Sequence, residues 1–178
     1  MCIRDRLINE LPFELTKNQY KIINDINNYN NTQYRETVLL QGDVGSGKTI
    51  VSLLTAIPFI QKHKQVAYMA PTEILANQIY SNVLNHLDNE EVNPILLTGS
   101  SKNKSEIYEK IEKGIFNFII GTHAIFQENL NFSSLAYVII DEQHRFGVQQ
   151  RLYLAEKGVN TNILLMSATP IPRTLALA

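Results

Sequence analysis

The sequence predicts a three-layer α/β sandwich with a mainly parallel β-sheet, and three observations carry that expectation. Short, almost wholly apolar segments recur along the chain, each followed by a longer stretch with helical spacing. Strands with no polar face belong to a parallel sheet covered by helices on both sides. The same segments end in small, hydroxyl-bearing or acidic clusters, and in an open parallel sheet such clusters share one rim, where ligands bind. One of the strand-to-helix turns is glycine-rich: Gly42-Asp43-Val44-Gly45-Ser46-Gly47-Lys48-Thr49.

In chain order, Leu11-Pro12-Phe13-Glu14-Leu15-Thr16 leads into a helix with Thr16 as its N-cap and Tyr20, Ile22, Ile23 and Ile26 as its apolar face. Asn27–Asn31 reads as a polar loop. Thr37–Gln41 is a β-branched, apolar segment that reads as a buried strand, and Ile50–Ile57 a buried helix after the glycine-rich turn. Gln65–Ala70 is the second strand, stopped by Pro71; Thr72 opens a helix to His86 with Ile74, Leu75, Ile79, Val83 and Leu87 on one face. Pro94–Leu97 is a strand ending at Thr98-Gly99-Ser100. Lys102–Lys113 is a solvated, charged helix closed by Gly114. Phe118–Ile120 ends at Gly121-Thr122-His123-Ala124, and Tyr137–Ile140 at Asp141-Glu142-Gln143-His144. A short helix covers Leu152–Lys157, closed by Gly158. Ile163–Met166 ends at Ser167-Ala168-Thr169, and Pro170 and Pro172 make a rigid turn.

At 178 residues, 44% hydrophobic and 19% charged, the chain has the size and composition of one ordinary globular domain. Lys+Arg 16 against Asp+Glu 17 leaves a net charge of −1, so nucleic-acid binding must rest on local groups, not global basicity. No apolar run approaches membrane-spanning length, and Cys2 is the single cysteine, so a cytoplasmic chain without disulfides is expected. Met1–Arg6 looks like the translation of a transposon-end sequencing adapter; residues 7–178 are therefore read as the domain.

The chemistry starts at Gly42–Thr49, which satisfies G-x-x-x-x-G-K-[ST] between a strand and a helix, the signature of a P-loop NTPase. Gly42, Gly45 and Gly47 let the backbone curl so that the N–H groups of Asp43, Val44, Ser46 and their neighbours face an anion. Lys48 suits the terminal phosphates of ATP and the Thr49 hydroxyl suits Mg2+. Asp141 is the carboxylate such a loop needs at the end of another strand to hold the Mg2+ hydration shell. Glu142 beside it suits orienting or deprotonating the attacking water; the alternative is a capping acid pair. Gln19 carries one donor and one acceptor that match an adenine edge, though a helix-surface glutamine is also simply solvated.

Taken in order, Gly42–Thr49, Ala70-Pro71-Thr72-Glu73-Ile74-Leu75-Ala76-Asn77-Gln78, Thr98-Gly99-Ser100, Gly121-Thr122-His123-Ala124, Asp141-Glu142-Gln143-His144 and Ser167-Ala168-Thr169 resemble motifs I, Ia, Ib, Ic, II and III of superfamily 2 helicases. More narrowly, Leu11–Thr16, the Asp141–Arg151 run and Pro170–Leu177 resemble the RecG family of bacterial ATP-dependent DNA helicases; the motor of transcription-repair coupling factors is the nearest alternative. The resemblance implies a RecA-like fold and makes this chain the first of two motor domains. Gln19 then reads adenine with Phe13 near the base, and Lys48, Asp141 and Glu142 carry ATP hydrolysis with Mg2+. By the same resemblance Thr72, Thr98, Gly99, Gly121 and Thr122 grip a branched DNA strand, His123 either joins them or packs its loop, and Gln143, His144, Ser167, Ala168 and Thr169 couple nucleotide state to that groove. Arg145 and Arg151 fit backbone clamps and surface ion pairs equally. The family also implies an N-terminal wedge domain and a second RecA-like domain. A small-molecule P-loop kinase or a non-catalytic nucleotide-binding module would leave the Thr98-Gly99, Gly121-Thr122 and Ser167–Thr169 clusters without a role.

Overall fold

Each apolar segment becomes a strand of one parallel sheet in a computed structural model that describes residues 8, 11, 13–30, 35–86, 91–142 and 161–168. The strands are β1 (Thr37–Gln41), β2 (Gln65–Met69), β3 (Pro94–Leu97), β4 (Phe118–Gly121), β5 (Leu135–Ile140) and β6 (Asn162–Ser167). They lie in the order β1-β6-β5-β2-β4-β3, and every pairing is parallel. Pro94, which has no N–H to give, opens the edge strand β3, where a missing donor is least costly.

Side chains alternate faces along a strand, so each strand feeds two cores. On one face Val66, Tyr68, Phe118, Ile120, Tyr137, Ile139, Leu164 and Met166 pack under α1 (Lys17–Asn30), α2 (Lys48–Gln61) and α3 (Glu73–His86). On the other, Ala67, Met69, Ile119, Val138, Ile140 and Ile163 meet Ile111 of α4 (Lys104–Glu112) and Ile125 of a 3-10 turn, His123–Phe126. β2 is buried along its whole length, as a central strand covered on both faces must be. Tyr137 stacks on Phe59 of α2 with ring centroids 4.6 Å apart, and its hydroxyl meets Thr55 Oγ1 at 3.2 Å; burial pushes its pKa up.

Several expectations change. β1, expected to be buried, is an edge strand in which only Leu40 is buried and Leu39 is 39% exposed, because it has a neighbour on one side alone. Tyr20 is 43% exposed and Ile74 81% exposed, so neither belongs to the core face assigned to its helix, whereas Ile23, Ile26, Ile79 and Val83 do. Asn27–Asn30 continue α1 and are not a loop; the modest cost of asparagine in a helix is outweighed by the burial of Ile23 and Ile26 one turn earlier. The charged helix starts at Lys104, two residues late, because Asn103 adopts φ 53° and the preceding residues close a turn in which Ser101 N–H donates to Thr98 O. Its end is as expected: Gly114, at φ 73°, donates to Ile111 O and Ile115 to Lys110 O, the paired bonds of a Schellman cap. β5 begins at Leu135, before the expected Tyr137. The 3-10 turn was not foreseen. Leu87, the expected Leu152–Lys157 helix, the Pro170–Pro172 turn and Met1–Arg6 lie outside the described residues. No described helix is long and apolar enough to cross a membrane.

The end of the sheet opposite the rim is locked by Gln65, which is 2% exposed. Its Nε2 donates to Ile111 O and Phe116 O, both at 2.8 Å, and its Oε1 accepts from Ser134 N at 3.0 Å and Ser133 Oγ at 3.2 Å. All four hydrogen-bonding positions of the amide are used. Gln65→Leu keeps the volume and removes these partners, so chemical denaturation should register a loss of about 2–4 kcal/mol. A loss below about 1 kcal/mol would mean that the amide is dispensable.

Candidate nucleotide-binding site

The loop after β1 is shaped by its neighbour strand. Gly42 N–H donates to Ser167 O at the end of β6 (3.2 Å), and Ser46 N–H turns back to Asp43 O (3.2 Å). Gly45 at φ 81° and Gly47 at φ 84° take left-handed conformations that glycine alone adopts without strain, and Gly47 caps α2. A Cβ on Gly47 would lie 2.4 Å from Gln19 Nε2. Val44, at the loop tip, is 88% exposed. Lys48 Nζ folds back onto the loop and donates to Gly42 O at 2.6 Å and Asp43 O at 2.8 Å.

Gln19 is tied into this loop. Thr16 and Gln19 form a reciprocal capping box: Thr16 N–H donates to Gln19 Oε1 (2.8 Å) and Gln19 N–H to Thr16 Oγ1 (3.2 Å). Gln19 Nε2 donates to Ser46 O at 3.0 Å. A primary amide has two N–H groups and two acceptor lone pairs, so one of each is left over for a base edge. Phe13, three residues before the cap, is 51% exposed.

Across the sheet, Asp141 follows β5 and its N–H donates to Met69 O at 2.9 Å. Glu142 sits at φ 50°, a strained conformation for a side-chain-bearing residue, and its N–H donates to Asp141 Oδ1 at 2.9 Å. The Asp141 pKa is raised, chiefly by burial; the Glu142 N–H and the Lys48 charge oppose the rise and the Glu142 charge adds to it. A partly desolvated carboxylate near a lysine and a helix N-terminus is a fitting partner for a divalent cation. Among the described residues no three His, Cys, Asp or Glu side chains cluster. A cation here would therefore rest on the Thr49 hydroxyl, Asp141 and the oxygens of a nucleotide. Ser167 is buried and Ala168 is partly exposed at the end of β6, between the two halves of the site. Gln143, His144, Arg145, Arg151 and Thr169 lie outside the described residues.

Farther along the same edge, past β2, a cleft of about 690 Å3 is lined by Thr72, Gly99, Lys104, Tyr108, Thr122 and His123 among others. Four of the six expected strand-gripping residues thus converge. The other two lie beneath. Thr98 is 3% exposed with its hydroxyl turned to Ser100 Oγ (3.0 Å), and a Cβ on Gly121 would lie 1.9 Å from Leu97 O. Thr72 Oγ1 accepts the Leu75 N–H and caps α3, while Thr122 N–H donates to Leu97 O. His123 is exposed, with its ring 6.2 Å from that of Phe126.

Sequence reasoning missed Glu73 and Lys104. Glu73 accepts from Ser100 Oγ (2.9 Å) and Ser100 N (3.2 Å), and Lys104 Nζ donates to Gly99 O (2.7 Å), so the two staple the Thr98–Ser101 turn from both sides. The spacing of Lys104 within a charged helix hid it; its neighbours Glu106–Lys110 and Glu109–Lys113 are ordinary exposed pairs. The Ser100 bonds hold the Glu73 pKa below the usual carboxylate range. A depressed folded pKa means a link that is complete above the unfolded value and lost as pH falls through the folded one. The Ser100 amide resonance should therefore titrate below the usual glutamate range; a midpoint at or above it would break the link.

A glycine-rich phosphate loop, a strand-end acid pair and a second cleft on one parallel rim define a P-loop nucleotide-binding domain of RecA-like architecture. The chain belongs to the DEAD/DEAH box helicase family, whose model matches residues 16–177. It is 51% identical over 175 residues to the ATP-dependent DNA helicase RecG of Borreliella burgdorferi, covering 97% of this chain and 26% of that protein. It is 48% identical over 177 residues to RecG of Aquifex aeolicus, covering 97% of this chain and 22% of the relative. A solved structure of RecG bound to a three-way DNA junction superposes with a TM-score of 0.84 at 40% identity, covering 98% of this chain and 24% of that one. The DEAD-box helicase Mss116, solved with single-stranded RNA and UDP-BeF, shares the fold at a TM-score of 0.76 and 24% identity, with 98% of this chain and 40% of that one covered. The chain thus spans about a quarter of the length of the curated relatives it matches.

Gly47→Ala tests how the loop is built. The new methyl meets both an unfavourable φ and Gln19, so stability should fall by about 1–3 kcal/mol in denaturant titration. Adding Gln19→Ala should recover the steric part of that loss and leave the conformational part. Strictly additive losses would show that the two residues do not meet.

Proposed function

We propose that residues 7–178 form the first RecA-like motor domain of a RecG-type ATP-dependent DNA helicase, which remodels branched DNA in recombination and repair. The observation that carries this reading is the placement of the phosphate loop, the Asp141–Glu142 pair and the Thr72–Gly99–Thr122–His123 cleft on one edge of one sheet. High identity to RecG proteins across nearly the whole chain supports the narrower assignment.

In this reading the loop amides from Asp43 to Lys48 and the N-terminus of α2 hold the phosphates. Lys48 exchanges the Gly42 and Asp43 carbonyls for phosphate oxygens. Thr49 and Asp141, the latter through water, hold Mg2+, which supplies positive charge to the phosphate oxygens when bound. Glu142 orients the attacking water, and Gln19 offers its remaining donor and acceptor to adenine, with Phe13 beside the base. Thr72, Gly99, Thr122 and His123 contact a DNA strand through its phosphates, which needs hydroxyls and N–H groups and no net basicity. Thr98 and Gly121 support those loops, and Ser167, Ala168, Thr169, Gln143 and His144 relay nucleotide state. A second RecA-like domain completes the cleft with a trans arginine, and an N-terminal wedge domain engages the junction.

The decisive experiment is ATPase activity of the full-length gene product on forked and linear DNA. Forked DNA should stimulate hydrolysis more than linear DNA, and Lys48→Ala should abolish it; stimulation by RNA but not DNA would overturn the assignment. Glu142→Gln should lower kcat by roughly 10²–10⁴ while leaving nucleotide affinity within a fewfold. The 178-residue chain by itself should hydrolyse ATP slowly, because a trans arginine contributes about 10³–10⁵ in kcat. Brisk DNA-stimulated turnover by this chain alone would contradict the need for a second domain.

A further inference from the structure

The cleft assigned to a nucleic-acid strand contains an acid that such a ligand repels. Among the side chains lining it, Glu73 is the sole carboxylate, set against Lys104 and His123. Neither Glu73 nor Lys104 forms an ion pair among the described residues. A glutamine could bind the same turn without bringing a negative charge to the cleft, so stapling alone does not explain the carboxylate.

What it docks on is a built donor pair. Glu73 Oε1 accepts the Ser100 N–H at 3.2 Å, and Oε2 accepts the Ser100 hydroxyl at 2.9 Å. The carboxylate lies close against Gly99, where an added Cβ would stand 3.2 Å from Oε1. Ser100 has one hydroxyl proton and gives it to Glu73, so in its 3.0 Å contact with Thr98 Oγ1 it is the acceptor. The buried Thr98 hydroxyl thereby aims the Ser100 hydroxyl, and the Thr98 N–H is fixed in turn by Ser101 Oγ at 2.9 Å. Lys104 Nζ holds the same turn through Gly99 O at 2.7 Å.

Two converging donors that take both oxygens of one carboxylate also suit two oxygens of one phosphodiester, since each group carries its anionic oxygens on a single atom. Glu73 is not part of the turn. It comes from the first residue of α3 and is exposed, so its side chain can leave for solvent without disturbing the core.

We propose that Glu73 is an internal stand-in for a strand phosphate: its carboxylate occupies the Ser100 donor pair in the free protein, and a phosphate of the nucleic-acid backbone takes those donors by displacing it. Binding at this turn exchanges one anion for another, which limits how tightly a strand is held and parts the turn from α3 while it is bound. The inference rests on the strand-binding reading of the cleft given above and deepens it.

The test uses the full-length gene product and a fluorescein-labelled linear DNA duplex, which lacks the junction assigned to the wedge domain; affinity is read by anisotropy without nucleotide. Glu73→Gln should tighten binding roughly three- to tenfold, and Glu73→Ala, which leaves the Ser100 donors open, at least as much. Ser100→Ala should cost clearly more affinity in the Glu73→Gln background than in the wild type, because only there is its hydroxyl free for phosphate. An equal gain from Glu73→Gln with and without the Ser100 hydroxyl means plain charge repulsion and overturns the proposal. Unchanged or weaker binding by both Glu73 variants overturns it too, leaving Glu73 a structural staple. Wild-type affinity in a His123→Ala, Thr122→Ala double variant overturns the strand-binding reading of the cleft itself, and this inference with it.

Discussion

The arrangement of the site depends on one insertion: β6 lies between β1 and β5. The glycine-rich loop follows β1 and the acid pair follows β5, so the two halves of the proposed nucleotide site stand one strand apart instead of side by side. The intervening strand ends in Ser167, whose carbonyl holds the Gly42 N–H. A small shift of β6 along its own axis would therefore move the loop anchor directly, without any intermediary. Parallel pairing on both sides, Leu40 with Met166 and Ile140 with Leu165, resists such a shift in the bulk of the sheet and concentrates any freedom at the rim.

The two ends of the sheet are built from different materials. At the base, the saturated Gln65 amide and the side chains of Asn93 and Asn117 bind loops to strands with short hydrogen bonds. At the rim the residues are glycines, hydroxyls and a left-handed Glu142, with bonds made within a loop, as at Thr98 and Ser100, or from a neighbouring helix, as by Glu73. A stiff base and an adjustable rim let loops exchange partners while the apolar faces stay packed.

Much of this was legible in the chain. Each strand was marked by its apolar run and stop signal, the glycine-rich loop by its spacing, and Asp141 by its place directly after an apolar run. Strand order was not legible, because fully apolar strands carry no code for which neighbour they take; pairing is decided by crossovers and packing that no local window contains. The exposure of Ile74 and Tyr20 escaped for a related reason. Helical spacing predicts an apolar stripe, but its width is set by how closely the sheet approaches each turn. Gln19 was legible as a candidate base reader, yet its capping box with Thr16 and its bond to Ser46 are also what an ordinary helix start provides. Glu73 was read as one residue of a helix-opening motif with no role of its own, since its partner Ser100 is brought close by the β2–β4–β3 pairing.

The two carbonyls that hold Lys48 have a consequence for affinity. Because the ammonium already has partners in its own loop, phosphate oxygens must compete with Gly42 O and Asp43 O, and binding exchanges hydrogen bonds instead of adding them. The lysine's net worth is then the difference between two well-made sets of contacts, which is small compared with either. In the proposed nucleotide site that exchange would leave the lysine contributing less to affinity than an ammonium with no partners of its own.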